Sequence, residues 1–359
     1  MRPEDITRYR RQISLPGFGT AGQEALLDGH VAIIGAGGLG SPALLYLAGA
    51  GIGTITLIDD DVVDVSNLQR QIIHPMDKVG TPKVESAAAQ VRALNPNVSL
   101  RLFEERLTWS NAREVLADAD VVLDGTDNFD ARHLASAACA RLGIPHVWAS
   151  ILGFEAQLSV FYAGKGPIYE DLFPTPPAPG VVPNCAQAGV LGPIVGVVGS
   201  AMAMEAIKLI TGVGEPLIGK LGYIDSLTGM WEYIPVTGNP EVTEHVRTSE
   251  PARQAPTPAD ELPDVPETST IPDGAVLIDV RDPHEHAAFT LADSVNIPLG
   301  DVLDATDLPA EITGADGPIV VYCAGGIRSA KAVAKLQELG ATDLVSLHGG
   351  IDGWLEARA

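Results

Sequence analysis

Three stretches of this sequence hold residue types whose spacing can do chemistry. The first begins at Gly35-Ala36-Gly37-Gly38-Leu39-Gly40, with Asp59 further on. A glycine turn between a strand and a helix lets backbone N–H groups approach phosphate, and an acid at the end of the next strand suits a ribose. Taken alone, that pair points to an NAD or FAD site. The run Ser66, Asn67, Leu68, Gln69, Arg70 and Gln71 then sets Arg70 just beyond the second strand. Lys83 comes a turn or so into the next helix, and Asp124-Gly125-Thr126-Asp127-Asn128 ends a later strand. Hydride transfer has no use for Arg and Lys focused on one spot beside an extra carboxylate. A triphosphate does, because the cations offset its charge and Asp127 offers Mg²⁺ a hard oxygen ligand.

The second stretch is Cys323, followed by Ala324, Gly325, Gly326, Ile327 and Arg328. A loop between a strand end and a helix N-terminus aims backbone N–H groups at the sulfur and favours its anion, as a reactive cysteine needs. Phosphoester hydrolysis would separate cysteine and arginine by five residues. Only four stand between Cys323 and Arg328, which suits a smaller cargo, a single persulfide sulfur. The third stretch is Cys185, in a Pro-rich loop expected over 164–193. It is read either as an accessible catalytic thiol or as a structural residue. Cys139 is expected in the core, and His284 and His286 at the surface.

The elements that must position these groups follow an α/β pattern. Strands are expected at 30–34, 54–58, 98–103, 121–124, 147–150 and 158–162, with helices at 41–50 and about 193–211. The expected fold class is α/β: a Rossmann-like, mostly parallel sheet followed by a smaller α/β domain. Expected boundaries are 1–238, an acidic Pro-rich linker over 239–262, and 263–359. The net charge of −23 argues against nucleic acid and anionic membranes as partners. No apolar run of membrane-spanning length stands out, the first residues lack a signal-peptide core, and the cysteines suggest no disulfide framework. A cytoplasmic setting is the expectation.

Arg8-Tyr9-Arg10-Arg11-Gln12-Ile13, the glycine turn, Ser66–Gln71, Lys83 and Asp124–Asn128 together resemble the ThiF/MoeB adenylyltransferases, relatives of ubiquitin-activating enzymes, over residues 1 to about 236. The resemblance implies that Gly35, Gly37, Gly38 and Gly40 face the phosphates of ATP and that Asp59 binds the ribose. Asn67, Arg70, Gln71 and Lys83 would grip the triphosphate, within an ATP site running from Ser66 through Leu68 and Gln69 to Gln71. Asp127, beside Asn128, would place Mg²⁺, and Arg11 would reach across a homodimer. Cys185 matches a cysteine proposed in relatives to link covalently to the carrier. Relatives of the MoeB type usually carry two Cys-x-x-Cys pairs for zinc. Here one position reads Ile168-Tyr169-Glu170-Asp171 and the other, near Pro240, has no cysteine, so no structural zinc is expected; the segment resembles the zinc-free MoeZ branch.

Residues 263–359, with Leu277–Asp282, Glu285, the Cys323 loop and Gly349-Gly350…Trp354, resemble a single-domain rhodanese. Asp293 and Ser294 replace small residues, and a histidine is missing near Thr290. The implied activity is adenylylation of the C-terminal glycine carboxylate of a ubiquitin-like sulfur carrier ending in Gly-Gly. Sulfur transfer from a Cys323 persulfide would follow, charged by thiosulfate or a cysteine desulfurase. The alternatives are adenylylation alone with an external sulfur donor, an NAD oxidoreductase with an accessory sulfurtransferase domain, and a non-catalytic recruiting module.

Overall fold

A computed structural model describes residues 1–177, 189–253 and 263–358, in two compact units, Met1–Ala255 and Pro256–Ala359. The first is built on an eight-stranded sheet in the order β3-β2-β1-β4-β5-β6-β7-β8. Its strands are β1 (His30–Ile34), β2 (Thr54–Ile58), β3 (Ser99–Phe103), β4 (Val121–Asp124), β5 (His146–Leu152), β6 (Glu155–Phe161), β7 (Lys220–Asp225) and β8 (Met230–Pro235). The β3-β2-β1-β4-β5 half is parallel and the β5–β8 half antiparallel. Parallel strands are covered on both faces, so they read as unbroken apolar runs. Accordingly, in β1 Val31 and Ile33 enter one core while Ala32 and Ile34 enter the other. Helices Gly40–Ala50, Lys83–Leu94 and Gly192–Thr211 supply the first core; Ala112–Leu116 and Phe129–Leu142 supply the second. The strand order reverses between β1 and β4, which opens a crevice at the carboxyl ends of the parallel strands.

Helix Gly192–Thr211 is long and apolar enough to cross a membrane by length and composition, which the reading of apolar runs did not anticipate. Ile194, Val195, Val198, Met202 and Ala206 bury it in the first core instead. Cys139 is buried as expected, and desolvation pushes its thiol far up.

The stretch expected as linker from residue 239 begins as a helix, Pro240–Thr248. Asn239 caps it by accepting from the Glu241 N–H at 2.9 Å, proline occupies the first turn, and Val246 packs with Ala137, Ala140 and Ile168. Those signals (Asn-Pro, then Val at i and i+4) were legible but outweighed by the surrounding Pro, Glu and Thr. The expected 164–193 loop also holds local structure, a 3₁₀ turn at Tyr169–Asp171. Asp171 ties this turn to the helix: its carboxylate accepts from the Ile168 N–H at 2.8 Å and the Asn239 N–H at 2.9 Å. Hydrogen bonds to a charged acceptor contribute about 1.5–3 kcal/mol each, less where water competes. Asp171→Ala is therefore expected to cost about 2 kcal/mol. An unchanged urea midpoint for the full chain would remove this role.

The second unit has a five-stranded parallel sheet in the order β11-β10-β12-β13-β9. Here β9 is Glu267–Thr268, β10 Val276–Asp279, β11 Val295–Asn296, β12 Ile319–Tyr322 and β13 Leu344–Leu347. Ile278, Val321, Val333 and Leu336 fill one side, and Leu277, Val320, Tyr322 and Leu347 the other. The central strand, β12, ends immediately before Cys323.

Candidate active site

In the first unit the turn after β1 is shaped by glycine. Gly35 has φ +93°, and a Cβ on Gly40 would stand 2.0 Å from the Gly35 carbonyl oxygen, so Gly40 supports the turn by close approach. Asp59, following β2, accepts from the Ala36 N–H at 2.7 Å and the Asp61 N–H at 2.8 Å. Burial raises its carboxyl above the ordinary range, against those two donors. His74, unremarked in the sequence, braces the turn from beneath: Nε2 lies 2.9 Å from the Ala36 carbonyl and Nδ1 2.9 Å from Ser86 Oγ. Nε2 faces a carbonyl and so carries the proton, and burial lowers the pKa of the ring, keeping it neutral.

A cavity of about 510 Å³ lies over this turn. Among the expected residues, Gly35, Gly37, Gly38, Asp59, Arg70, Gln71, Lys83, Asp127 and Asn128 line it. Gly40, Ser66, Asn67, Leu68 and Gln69 do not; Val65–Asn67 form a 3₁₀ turn, and the Ser66 carbonyl accepts from Arg70 at 3.1 Å. Arg11 is exposed on helix Pro3–Ile13 and is not among the lining residues.

Lys83 opens its helix rather than sitting a turn inside it. It is buried, with Nζ 2.8 Å from Asp61 Oδ2. A cation at a helix N-terminus opposes the helix dipole, so neither burial nor helix stability accounts for lysine here. Gln71 is also buried, and its Oε1 has no hydrogen-bond partner. Asp127 is exposed to the cavity, and its carboxylate makes no hydrogen bond or ion pair with the described residues. Asn128 caps helix Phe129–Leu142 by accepting from the Ala131 N–H at 2.9 Å. Sequence reading missed Arg106, Trp109, Arg132 and Arg253, which also line the cavity. They come from loops and helices distant along the chain, and no local motif marks them.

In the second unit Cys323 is buried, and its sulfur accepts from the Gly326 N–H at 3.1 Å and the Ser329 N–H at 3.4 Å. Gly326 (φ +92°) turns the loop into helix Ile327–Glu338. A Cβ on Gly350 would stand 2.1 Å from the Ala324 carbonyl oxygen, so Gly349-Gly350 allows a second helix start to close on the loop. From it Ile351 N–H donates to the Cys323 carbonyl at 2.8 Å, and Asp352 N–H to the Ala324 carbonyl at 3.1 Å.

Arg328 donates two parallel bonds to Glu285, at 2.7 and 2.8 Å. Beneath, Arg281 and Asp279 form a buried pair at 2.7 Å. His286, expected at the surface, is half-buried, with Nδ1 3.0 Å from Asp279 Oδ2. Thr290 and Ser294, where the resemblance expected other residues, have hydroxyls 2.6 Å apart, and each meets the Tyr322 hydroxyl, at 2.7 and 2.8 Å. The departure is thus a closed hydroxyl cluster. Cys185 lies outside the described residues.

These pairs imply a pH dependence. Arg328 holds the Glu285 carboxyl, and Arg281 the Asp279 carboxyl, below their ordinary values despite burial. A depressed folded pKa contributes stability above the unfolded value, and that contribution is lost as pH falls through the folded one. Glu285→Gln is therefore expected to lower Tm at pH 7, with the difference shrinking below roughly pH 4. An equal difference at pH 7 and pH 3 would refute this.

Family comparison matches residues 9–244 to the ThiF family and residues 264–357 to the rhodanese-like domain. The probable adenylyltransferase/sulfurtransferase MoeZ of Mycobacterium tuberculosis is 42% identical over 366 residues, covering 98% of this chain and 93% of that protein. The SAMP-activating enzyme E1 of Haloferax volcanii is 48% identical over 236 residues, covering 66% of this chain and 87% of that protein. The crystal structure of E. coli MccB shares the fold, with TM-score 0.59 and 23% identity over 67% of this chain and 72% of that one. A nucleotide-sized cavity over the glycine turn and a cysteine cradled by N–H donors thus lie within two matched families, and this chain belongs to the ThiF family, joined to a rhodanese-like domain, as an adenylyltransferase/sulfurtransferase enzyme.

Proposed function

We propose that this enzyme uses Mg-ATP to adenylylate the C-terminal glycine carboxylate of a ubiquitin-like carrier ending in Gly-Gly. It then replaces AMP with sulfur from a persulfide on Cys323. The observation that carries the reading is the gathering of the glycine turn, Asp59, Arg70, Lys83 and Asp127 around one cavity. In the first step a carboxylate oxygen attacks the α-phosphorus, the bond to the β-phosphate bridging oxygen breaks, and pyrophosphate leaves. Asp59 receives the ribose hydroxyls while its backbone donors hold it in place. Arg70 and Lys83 offset the charge on the phosphates, and Gln71 offers its orphan oxygen as an acceptor. Asp127 would hold Mg²⁺, which supplies charge neutralisation when bound. Arg11, exposed and outside the cavity of its own chain, would reach the site of a second copy in a homodimer.

In the second step the outer sulfur of the Cys323 persulfide attacks the acyl carbon, the bond to the AMP oxygen breaks, and an acyl persulfide forms. A thiolate, from Cys185 or a small thiol, then attacks the Cys323 sulfur. That thiol becomes part of a disulfide, and the carrier leaves as the thiocarboxylate. A second small thiol would reduce that disulfide and free the Cys323 thiolate, which would then take sulfur from thiosulfate, with sulfite leaving, or from a desulfurase persulfide, with its cysteine thiolate leaving. Structural zinc is not part of this proposal: Asp171 already joins the two segments where the resemblance puts thiolate pairs in zinc-bearing relatives. Intact-mass analysis of a Gly-Gly carrier incubated with the enzyme, Mg-ATP and thiosulfate tests the whole reading. The expected product carries sulfur in place of one terminal oxygen; an unmodified carrier with no AMP formed would overturn it.

A further inference from the structure

Arg132 is a cation that the nucleotide reading does not use. It stands five residues after Asp127, on helix Phe129–Leu142, and is only 7% exposed. It nonetheless lines the cavity together with Ser150 and Ile151 of β5. Its Nη2 donates to the Thr126 carbonyl at 3.2 Å, and its guanidinium lies 5.8 Å from the centre of the Trp148 ring and 5.5 Å from that of Phe129. Its Nε is buried without a hydrogen-bond partner, and no carboxylate oxygen among the described residues lies within 4.0 Å. Two buried groups beside it do not serve as counter-ions. Asp124 accepts from the Thr126 N–H and hydroxyl and faces His146 Nε2 at 3.1 Å. The Tyr169 hydroxyl faces Arg132 as a polar neighbour, but burial pushes its phenol up to about 12, so it stays neutral and supplies no counter-charge. A buried charge with no counter-ion is costly, and this one faces a cavity through which an anion can reach it.

Position selects the anion. Lys83 bonds to Asp61 in the loop after β2, and Arg70 lies beside Gly38. Both cations are thus grouped with the glycine turn on the β1–β2 side. Arg132 stands across Asp127 on the helix after β4, against Trp148 of β5, so in the order β2-β1-β4-β5 it lies on the opposite side of the glycine turn from Asp59. We propose that Arg132 is the seat of the acceptor carboxylate, gripping the C-terminal carboxylate of the carrier chain and holding it for attack on the α-phosphate. This rests on the adenylylation reading, which requires a carboxylate in this cavity besides the nucleotide. Guanidinium and carboxylate match geometrically, and the aromatic faces at Trp148 and Phe129 keep the pair dry enough to be strong.

The test is a double cycle on the full chain. A ubiquitin-like carrier ending in Gly-Gly is made with a terminal carboxylate or a terminal carboxamide. Its binding is measured by calorimetry with Mg²⁺ and a non-hydrolysable ATP analogue, on wild type and on Arg132→Gln. Amidation is expected to weaken binding to wild type on the order of 10²-fold and to R132Q by less than about threefold. The Kd of the nucleotide analogue alone is expected to match in both. Equal discrimination by both proteins overturns the assignment while leaving adenylylation standing. A loss of nucleotide affinity in R132Q also overturns it, by making Arg132 a phosphate contact. A wild type that shows neither carrier binding nor carrier-dependent pyrophosphate exchange sinks the adenylylation reading itself. Should R132Q fail to fold, Arg132→Lys keeps the charge and is expected to retain the preference for carboxylate; indifference there would refute the proposal.

Discussion

Asp127→Ala is expected to abolish carrier-dependent pyrophosphate exchange, lowering its rate on the order of 10³-fold, while the protein keeps its fold. The carboxylate faces the cavity without a partner among the described residues, so removing it leaves no buried group unsatisfied. What is lost is the oxygen that would position Mg²⁺ where charge moves from the α-phosphate to pyrophosphate, and removal of one such preorganised group costs about 3–4 kcal/mol of barrier. The contrast is with Asp124, three residues earlier in the same motif, at the end of β4. Asp124 is wholly buried and bonded to Thr126 and His146, so its loss would cost stability first. Exchange near wild-type rates in Asp127→Ala, at an unchanged Tm, would show that the metal and phosphates are held elsewhere.

Cys323→Ser is expected to separate the two reactions. Adenylylation should continue at the wild-type rate, because every residue lining the nucleotide cavity lies in the first unit. Thiosulfate:cyanide sulfur transfer and carrier thiocarboxylate should fall by at least about 10³-fold, because serine cannot carry a persulfide. The substitution is also mild structurally: a serine oxygen can accept from the same Gly326 and Ser329 N–H groups that hold the sulfur. Carrier thiocarboxylate forming undiminished in this variant would mean that sulfur arrives from an external donor, with the second unit idle in transfer.

The sequence carries the parts of each site that are local in the chain. A glycine turn needs particular backbone angles within six residues, and Asp59, Lys83 and the Asp124–Asn128 run each follow from where a strand ends or a helix starts. The Cys323 loop is local in the same way: one strand end, Gly326 and a helix N-terminus form the cradle within a single stretch. The linker reading ran too far because composition averages over a window. Asn239, Pro240 and Val246 act at single positions, and Val246 stabilises the helix only by meeting Ala137, Ala140 and Ile168.

Only the tertiary structure brings together residues that no spacing connects. Asp171 joins segments 68 residues apart through two backbone N–H groups, and its role depends on where both ends land. Thr290, Ser294 and Tyr322 become one hydroxyl cluster only after β12 is inserted into its sheet. Arg132 is the sharpest case. Along the chain it is an ordinary helical arginine; its meaning comes from burial, the orphaned Nε and the cavity it lines. Backbone conformation and strand ends are set by short-range sterics and hydrophobic period, which a sequence displays. The free energy of a buried charge is set by everything packed around it, and that is decided only when the chain closes on itself.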